Sequence, residues 1–462
     1  MSDLENINGF GQNSLEQLEK IQKGLSISQN YGAVAPNTLT GGSAMAVENL
    51  DRTLKLVTAS LEHLKLWKDI VKDRVDQKVF QYNVQNSYGA ETSPFFQMGG
   101  NPTQTTSTLN RDYVQIKNLG TQGSVTHDLT LISAAHGPAI AREVKNKTVE
   151  LLQKNERAMF DADSSIQALE YDGVFAQVLA KQDSANYNST SFVGYSDTSD
   201  SKAILDIRAA FDDEVAERMA LKNLNGFGMA MDCYLGTDTH SRFSRDYFLK
   251  QRTVPGAVLT SGNRVNSHTG SIDFRYKPST FCRPRVLPLA VTVSASAAPT
   301  LANATTPANA ASEFATADAG TYGYKISLVY ADGETLPSSE ISIAVAAGDK
   351  VNVEITFTGA PLYANVFRTA VGGAGSNWKF TKRIALTTSG AATDIDFNSF
   401  VPGSAKAFLL QHDIDVFCWK QLGSMVKFDL GVTNTSYTWN QLLYGTPLVM
   451  APHKLTIAKN LI

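Results

Sequence analysis

Between about Ala290 and Ser404 the chain contains no histidine, no cysteine and no methionine. All seven histidines, three cysteines and nine methionines lie outside that block. The block reads as short alternating strands and turns, whereas the chain on either side reads as mixed helix and strand. Such a switch constrains the architecture more than any single residue does. It predicts a self-contained β-domain spliced into a host of a different fold.

At 462 residues the chain has room for two to four domains, and a hydrophobic fraction of 43% is enough for a real core. The formal net charge of −3 leaves no strongly basic surface. Tight general binding of nucleic acid through phosphate neutralisation is therefore not expected. Cys233, Cys282 and Cys418 are far apart, form no CxxC pair and are odd in number. They fit small buried apolar residues in a reducing compartment better than a disulfide framework. Met1–Lys20 is polar and lacks the apolar core of a signal peptide, and no run of about 18 apolar residues occurs. The expectation is a protein made and folded in a cytoplasm, with no membrane span.

Residues 1–46 are polar and rich in Gly, Asn and Ser, with a short helix around Ser14–Lys23, and read as an extended arm. From Leu50 to Val79, Leu50, Leu54, Val57, Leu61 and Leu64 recur at four-three spacing, which predicts an amphipathic helix. That helix either packs within its own domain or lies between subunits. Residues 80–131 change character. Two strand-like runs, Val79–Val84 and Asp112–Leu119, flank a polar and aromatic middle containing Tyr88, Phe95 and Phe96. This predicts a projecting two-stranded loop, and loops of such length are generally functional or held by a partner. Pro138 opens a long helix to about Asp161, since proline suits the first helical turn. At ~1.5 Å per residue it would be roughly 35 Å long, the length of a structural spine.

A further helix is expected over Lys202–Lys222, then a strand over Gly228–Leu235 and a Pro-rich strand region over 271–289. In the β block the clearest hairpin is Tyr322–Tyr330, turning at Asp332-Gly333 into Glu334. Further strands are expected at Ile341–Val345, Val351–Phe357, Tyr363–Thr369 and Trp378–Leu386, a spacing that suits a β-sandwich. Pro402-Gly403 closes the block. The host resumes with Phe408–Trp419 and Met425–Leu430, a turn-rich stretch, and an apolar tail from Leu448.

Chemistry is sparse. No phosphate-cradling GxxxxGK[ST], HExxH or GxSxG pattern occurs. Gly372-Gly-Ala-Gly-Ser lies between strands and reads as a turn. The histidines at 63, 127, 136, 240, 268, 412 and 453 never pair at i, i+3 or i+4. Asp161 and Asp163 read as a helix end and a following cap, because the glycine and closing glutamate of a calcium loop are missing. Asp394 and Asp396 read as solvated strand carboxylates. No catalytic, metal or cofactor site is expected. An arm, a projecting loop, a spine helix and an added surface domain are all parts for making contacts.

This order of parts resembles the major capsid proteins of tailed bacteriophages, the Hong Kong 97 type of fold. The local matches are Pro138-Ala-Ile-Ala-Arg-Glu-Val through Met159-Phe-Asp-Ala-Asp, then Leu169-Glu-Tyr-Asp-Gly-Val-Phe-Ala-Gln-Val, and at the C-terminus Leu443-Tyr-Gly-Thr-Pro-Leu-Val-Met-Ala-Pro-His-Lys through Asn460-Leu-Ile. The middle segment has Tyr171 and Val174 where that family often has Phe and Leu, which conserves apolar character. Residues 324–339 are similar to the central hairpin of fibronectin type III domains. The resemblance implies an α+β class with an inserted all-β, immunoglobulin-like sandwich. Its divisions would be an arm (1–46), an amphipathic helix (47–79), an extended loop (80–131), the spine helix and peripheral domain (132–200), an axial domain (201–289), the inserted sandwich (290–404) and a return to the axial and peripheral domains (405–462). It further implies a non-enzymatic shell protein in a virion, assembled in a host cytoplasm. Its main partner would be itself, in hexamers and pentamers, with scaffold, portal and decoration proteins around it. It would enclose double-stranded DNA without sequence-specific binding. Tyr88, Phe95 and Phe96 become candidate intersubunit contacts. A tail or other surface protein with an adhesive sandwich, and a carbohydrate-active enzyme with an accessory domain, are the alternatives. The absence of an export signal and the internal position of the insert count against the enzyme.

Overall fold

A 3-10 turn at Leu61–His63 leads into the short helix α1 (Lys65–Asp69) and strand β1 (Val71–Arg74) in the computed structural model. An antiparallel pair follows, β2 (Val79–Ser87) and β3 (Thr108–Gln115), then β4 (Lys117–Thr126) and α2 (His127–Leu131). Two helices come next, α3 (Ala139–Asp161) and α4 (Val174–Lys181), and after them β5 (Asp232–Leu235) and β6 (Arg275–Pro278). Among the described residues eight strands occupy the compositionally distinct block: β7 (Thr300–Thr305), β8 (Gly320–Tyr330), β9 (Gly333–Glu334), β10 (Ile341–Val345), β11 (Val351–Thr356), β12 (Tyr363–Arg368), β13 (Lys379–Ile384) and β14 (Ala391–Asp396). The chain closes with β15 (Ala405–Leu410), β16 (Phe417–Gln421), β17 (Val426–Asp429), β18 (Ser436–Val449) and β19 (Thr456–Leu461). The structure describes residues 61–89, 93–132, 138–181, 232–241, 275–279, 282, 294–372, 378–431 and 434–461. The expected arm, the helix over Lys202–Lys222 and most of the expected 201–289 axial segment lie outside them.

The host is mixed α and β. Its larger sheet runs β1-β16-β18-β17, with β4 on the other edge of β18, and its smaller sheet runs β19-β15-β5-β6. Helix α3 packs here through one stripe, Leu151, Leu152, Asn155, Glu156, Met159 and Phe160. These positions recur every three to four residues and share one helical face. Against them lie Trp419, Phe417, Phe408, Tyr234 and Leu443 in a single apolar cluster. The turn after α3 is built by the segment Glu170-Tyr-Asp-Gly. Tyr171 donates its hydroxyl to Asn155 Oδ1 at 2.7 Å, and Asp172 Oδ1 accepts the Ser164 N–H at 2.8 Å. A Cβ on Gly173 would stand 2.7 Å from the Ala158 carbonyl oxygen, so only glycine lets α4 start this close to α3.

In the block, β10-β8-β12-β13 with β9 make one sheet and β14-β11-β7 a second. Among the described residues these strands pair only with one another. They enclose their own core, which includes Tyr324, Ile326, Leu328, Val351, Val353, Ile355, Val366 and Ile395. The two layers are also joined by a buried polar link. Arg368 on β12 reaches Asp396 on β14 at 2.5 Å and Asn398 at 2.9 Å, and Tyr324 donates to the same Asp396 at 3.0 Å. Asp396 is therefore not a solvated carboxylate as expected. Asp394 pairs with Lys350 at 2.9 Å.

Three further expectations are corrected. The amphipathic helix expected to run to Val79 does not do so. Within the described part, from Leu61, only five residues are α-helical. Of the expected stripe only Leu61 and Leu64 are described: Leu64 is buried but Leu61 is exposed, and the other buried residues here, Leu66 and Ile70, fall outside that spacing. Tertiary pairing overrides the helical period, because β1 is taken up in parallel by β16 and Asp73 binds Lys420 at 2.6 Å. The extended loop is shorter than 80–131, because β4 is not part of it and pairs with β18 through ten residues. Finally, the turn-rich stretch before Leu448 is mostly β18, fourteen residues long. Its Gly, Asn and Pro suggest turns, but Gly445 and Pro447 are accommodated where β18 packs over Trp419.

Candidate interaction surface

The two-stranded ribbon β2–β3 pairs from Val79↔Gln115 to Ser87↔Thr108. Strand periodicity gives it two unlike faces. Phe80, Tyr82, Val84, Asn110, Asp112 and Val114 share one face and are partly covered, while Gln81, Asn83, Leu109, Arg111, Tyr113 and Gln115 face solvent.

The inner face is rooted by two lysines. Lys181, at the end of α4, donates to the Tyr82 hydroxyl at 2.8 Å and to the Val449 carbonyl at 2.5 Å, with Asp112 at 3.5 Å. Burial pulls Lys181 down to about 8, against the opposing pull of Asp112. Tyr82 in turn donates to Asp112 at 2.8 Å. Lys420 stands 4.5 Å from the centroid of the Phe80 ring.

The three residues picked out from sequence lie in and beyond the tip. Tyr88 is 93% exposed, Phe95 89% and Phe96 57%; Met98, beside them, is fully exposed. The structure does not gather the three into a pocket; it presents them. Leu109 and Tyr113 on the outer face extend the apolar surface along the ribbon. The alternation Leu109, Arg111, Tyr113 was the signal that could have added Leu109. A two-stranded hairpin is marginally stable on its own, and an apolar surface this open is the kind that another surface covers.

A separate buried network lies where α1 meets β5 and β6. Tyr234 donates to Asp69 Oδ2 at 2.7 Å and faces His412 Nε2 at 2.8 Å. Lys277 binds Asp69 at 2.8 Å and Asp232 at 3.0 Å. Tyr234 has one proton and gives it to Asp69, so His412 Nε2 must carry the hydrogen between them. His412 Nδ1 is then a buried acceptor with no partner. Burial pulls His412 down to about 4, with Lys277 adding to the effect and Asp232 and Asp69 opposing it. Burial also raises Tyr234, helped by its bond to Asp69. Asp69 ends below its ordinary value: burial pushes it up, but the bonds from Lys277 and Tyr234 outweigh that. Lys277 already supplies the cation in this cluster. Among the described residues no group of three or more His, Cys, Asp and Glu is placed to hold a metal ion, and no helix is long and apolar enough to cross a membrane.

The described residues thus hold an exposed aromatic ribbon rooted by Lys181 and Lys420, a 23-residue helix and a separately cored strand module. No protein-family model matches it. It is similar to the "Major capsid protein" of Staphylococcus phage K, 23% identical over 464 residues covering 94% of each chain. The same identity and coverage hold for the "Major capsid protein" of Staphylococcus phage S25-3. Among solved structures it resembles the capsid of a native GTA particle, with a TM-score of 0.47 and 10% identity over 93% of this chain and all of that one.

Proposed function

We propose that this chain is the major capsid protein of a tailed bacteriophage. Copies of it form hexamers and pentamers that close into an icosahedral head around double-stranded DNA, with the strand module of residues 300–396 carried on the outer surface as an immunoglobulin-like domain. The observation that carries this reading is the nearly full-length likeness to phage proteins named as major capsid proteins. The order of ribbon then long helix, and the near-neutral charge, agree with it: a container that gripped its own DNA would hinder packaging and release. The ribbon tip at Tyr88, Phe95 and Phe96 would lie on a neighbouring subunit. Modest contacts of this kind, repeated around every subunit, sum to a stable shell.

The test is electron microscopy of the purified protein, expressed alone and with the other head proteins of its phage. Closed shells, or flat hexamers and pentamers, are expected. Tubes or open rings in both preparations would instead assign the chain to a tail.

A further inference from the structure

The strand module is joined to the host by two connectors, which would suit a domain swinging on a tether. Its contacts are of another kind. Arg383 on β13 points out of the module and forms a two-pronged pair with Glu170, Nη1 to Oε1 and Nη2 to Oε2, each at 3.1 Å. The same Nη2 donates to the backbone carbonyl of Asp161 at 2.6 Å. Asp161 is the last residue of α3, where helix carbonyls lack partners and the helix dipole is negative. One guanidinium therefore satisfies both the helix end and the turn that follows it.

Around this pair lie other anchors. Lys406 on β15 binds the Asp161 carboxylate at 2.6 Å, a link within the host that fixes the helix end, and its ammonium lies 5.4 Å from the centroid of Phe400. Phe400 belongs to the returning connector and packs on Phe175 of α4 at 5.9 Å. Asn460 on β19 takes a left-handed φ of 62°. Its Oδ1 accepts the Val401 N–H at 3.0 Å, and its Nδ2 donates to the Ser399 carbonyl at 3.5 Å. Lys459 lies 3.9 Å from Glu313 of the module. The module is thus held at a sheet edge, along its returning connector and at Glu313 in the segment between β7 and β8. Contacts at several places on one body remove the rotations that a hinge needs.

We propose that these contacts form a polar clamp that locks the strand module to the end of α3 in one orientation, with Arg383 as its central residue. A partner that grips the module would then load α3 and the host sheets directly and not through a slack tether. A bidentate guanidinium–carboxylate pair supplies the angular precision that a lysine could not. The proposal concerns the single chain and holds whether or not the chain builds shells.

Hydrogen–deuterium exchange of the full-length protein in solution tests it. Arg383→Ala is expected to speed exchange about tenfold across residues 161–173 and 397–404, the loss of a charge-assisted bond network. The interior strands β8 and β12 should keep wild-type protection. The swapped pair Arg383→Glu with Glu170→Arg should recover part of the lost protection, and about 1 M salt should weaken the clamp in the wild type. Wild-type exchange in Arg383→Ala at both segments would overturn the proposal. Loss of protection spreading through β8 and β12 would also overturn it, because Arg383 would then serve the module's own fold. If Arg383→Ala does not yield folded protein, Glu170→Gln weakens the same pair from the host side; because Glu170 also takes the Asp163 N–H at 3.3 Å, residues 397–404 alone then decide, faster exchange there supporting the clamp and wild-type exchange overturning it.

Discussion

Glu156 illustrates how one buried charge can organise a junction. It sits on the inner face of α3 with no exposed surface, and its two oxygens accept the N–H groups of Leu66 at 2.8 Å and Trp67 at 2.7 Å. These are first-turn donors of α1, which have no partner within the helix. Burial raises Glu156, and the backbone bonds only partly offset this. Glu156→Ala should lower stability by about 3 kcal/mol, because it strands two buried donors. Glu156→Gln, which keeps an acceptor, should cost roughly half as much. The urea midpoints of the two variants measure this, and equal losses would mean that the charge itself matters.

His412 makes a pH prediction. Its folded pKa of about 4 lies below its ordinary 6.5, so between those values the unfolded chain binds a proton that the folded chain refuses. Stability therefore falls as pH falls through that window, by at most about 3 kcal/mol. Asp69, held below its ordinary value, acts in the same direction at lower pH, since its contribution is lost as it protonates. Glu156 acts oppositely, because a raised carboxyl is relieved by protonation. His412→Gln should flatten the drop in urea midpoint between pH 7 and pH 4.5; an unchanged slope would assign the acid sensitivity to other groups.

Among the elements, β18 was the hardest to read from sequence and is central to the larger sheet. The glycine within it, Gly445, and Gly123 on its neighbour β4 are both required by tryptophans. A Cβ on Gly123 would stand 2.6 Å from the Trp439 ring, and one on Gly445 would stand 2.4 Å from the Trp419 ring. Both rings are fully buried and cannot swing away. Gly445→Ala should therefore cost about 2 kcal/mol or more through overpacking, visible as a lower thermal midpoint. Local sequence reports the glycine but not the distant ring above it, which is why the strand was missed. The same limit hid β1, whose partner lies more than three hundred residues away.

Where the signal is local, the reading was close. The long helix expected from Pro138 to Asp161 is α3, and Asp332-Gly333 turns β8 into β9. The strand at Ile341–Val345 falls at its expected limits. The projecting loop that carries Tyr88, Phe95 and Phe96 was legible from the two strand-like runs that flank a polar middle. The Arg368–Asp396 link was not legible, since it joins two layers that periodicity cannot orient. Arg368→Ala leaves Asp396 buried without its cation, and should destabilise the module by about 3–5 kcal/mol. The proteolytic stability of residues 294–404 would measure this, with Asp396→Asn as the partner variant.

At the scale of the whole molecule, the ribbon separates folding from assembly. Its root is part of the chain's own structure through Lys181, Tyr82 and Asp112, whereas its tip touches little that belongs to the same chain. Changing the tip to Ser at Tyr88, Phe95 and Phe96 together removes apolar surface that is already in water, so the thermal midpoint should stay close to that of the wild type. If the tip is an intersubunit contact, the same changes remove buried aromatic anchors, worth about 2 kcal/mol or more each at interface centres. That loss recurs at every subunit of a shell, so even a partial effect per contact should abolish assembly. Sedimentation velocity should then show the triple variant as small, folded species under conditions where the wild type sediments as large particles. Lys181→Met is the contrasting variant. It removes the root of the ribbon and should lower the thermal midpoint of the chain itself. A triple-Ser variant that assembles normally would remove the ribbon tip from the interface and shift attention to the outer strand face at Leu109 and Tyr113.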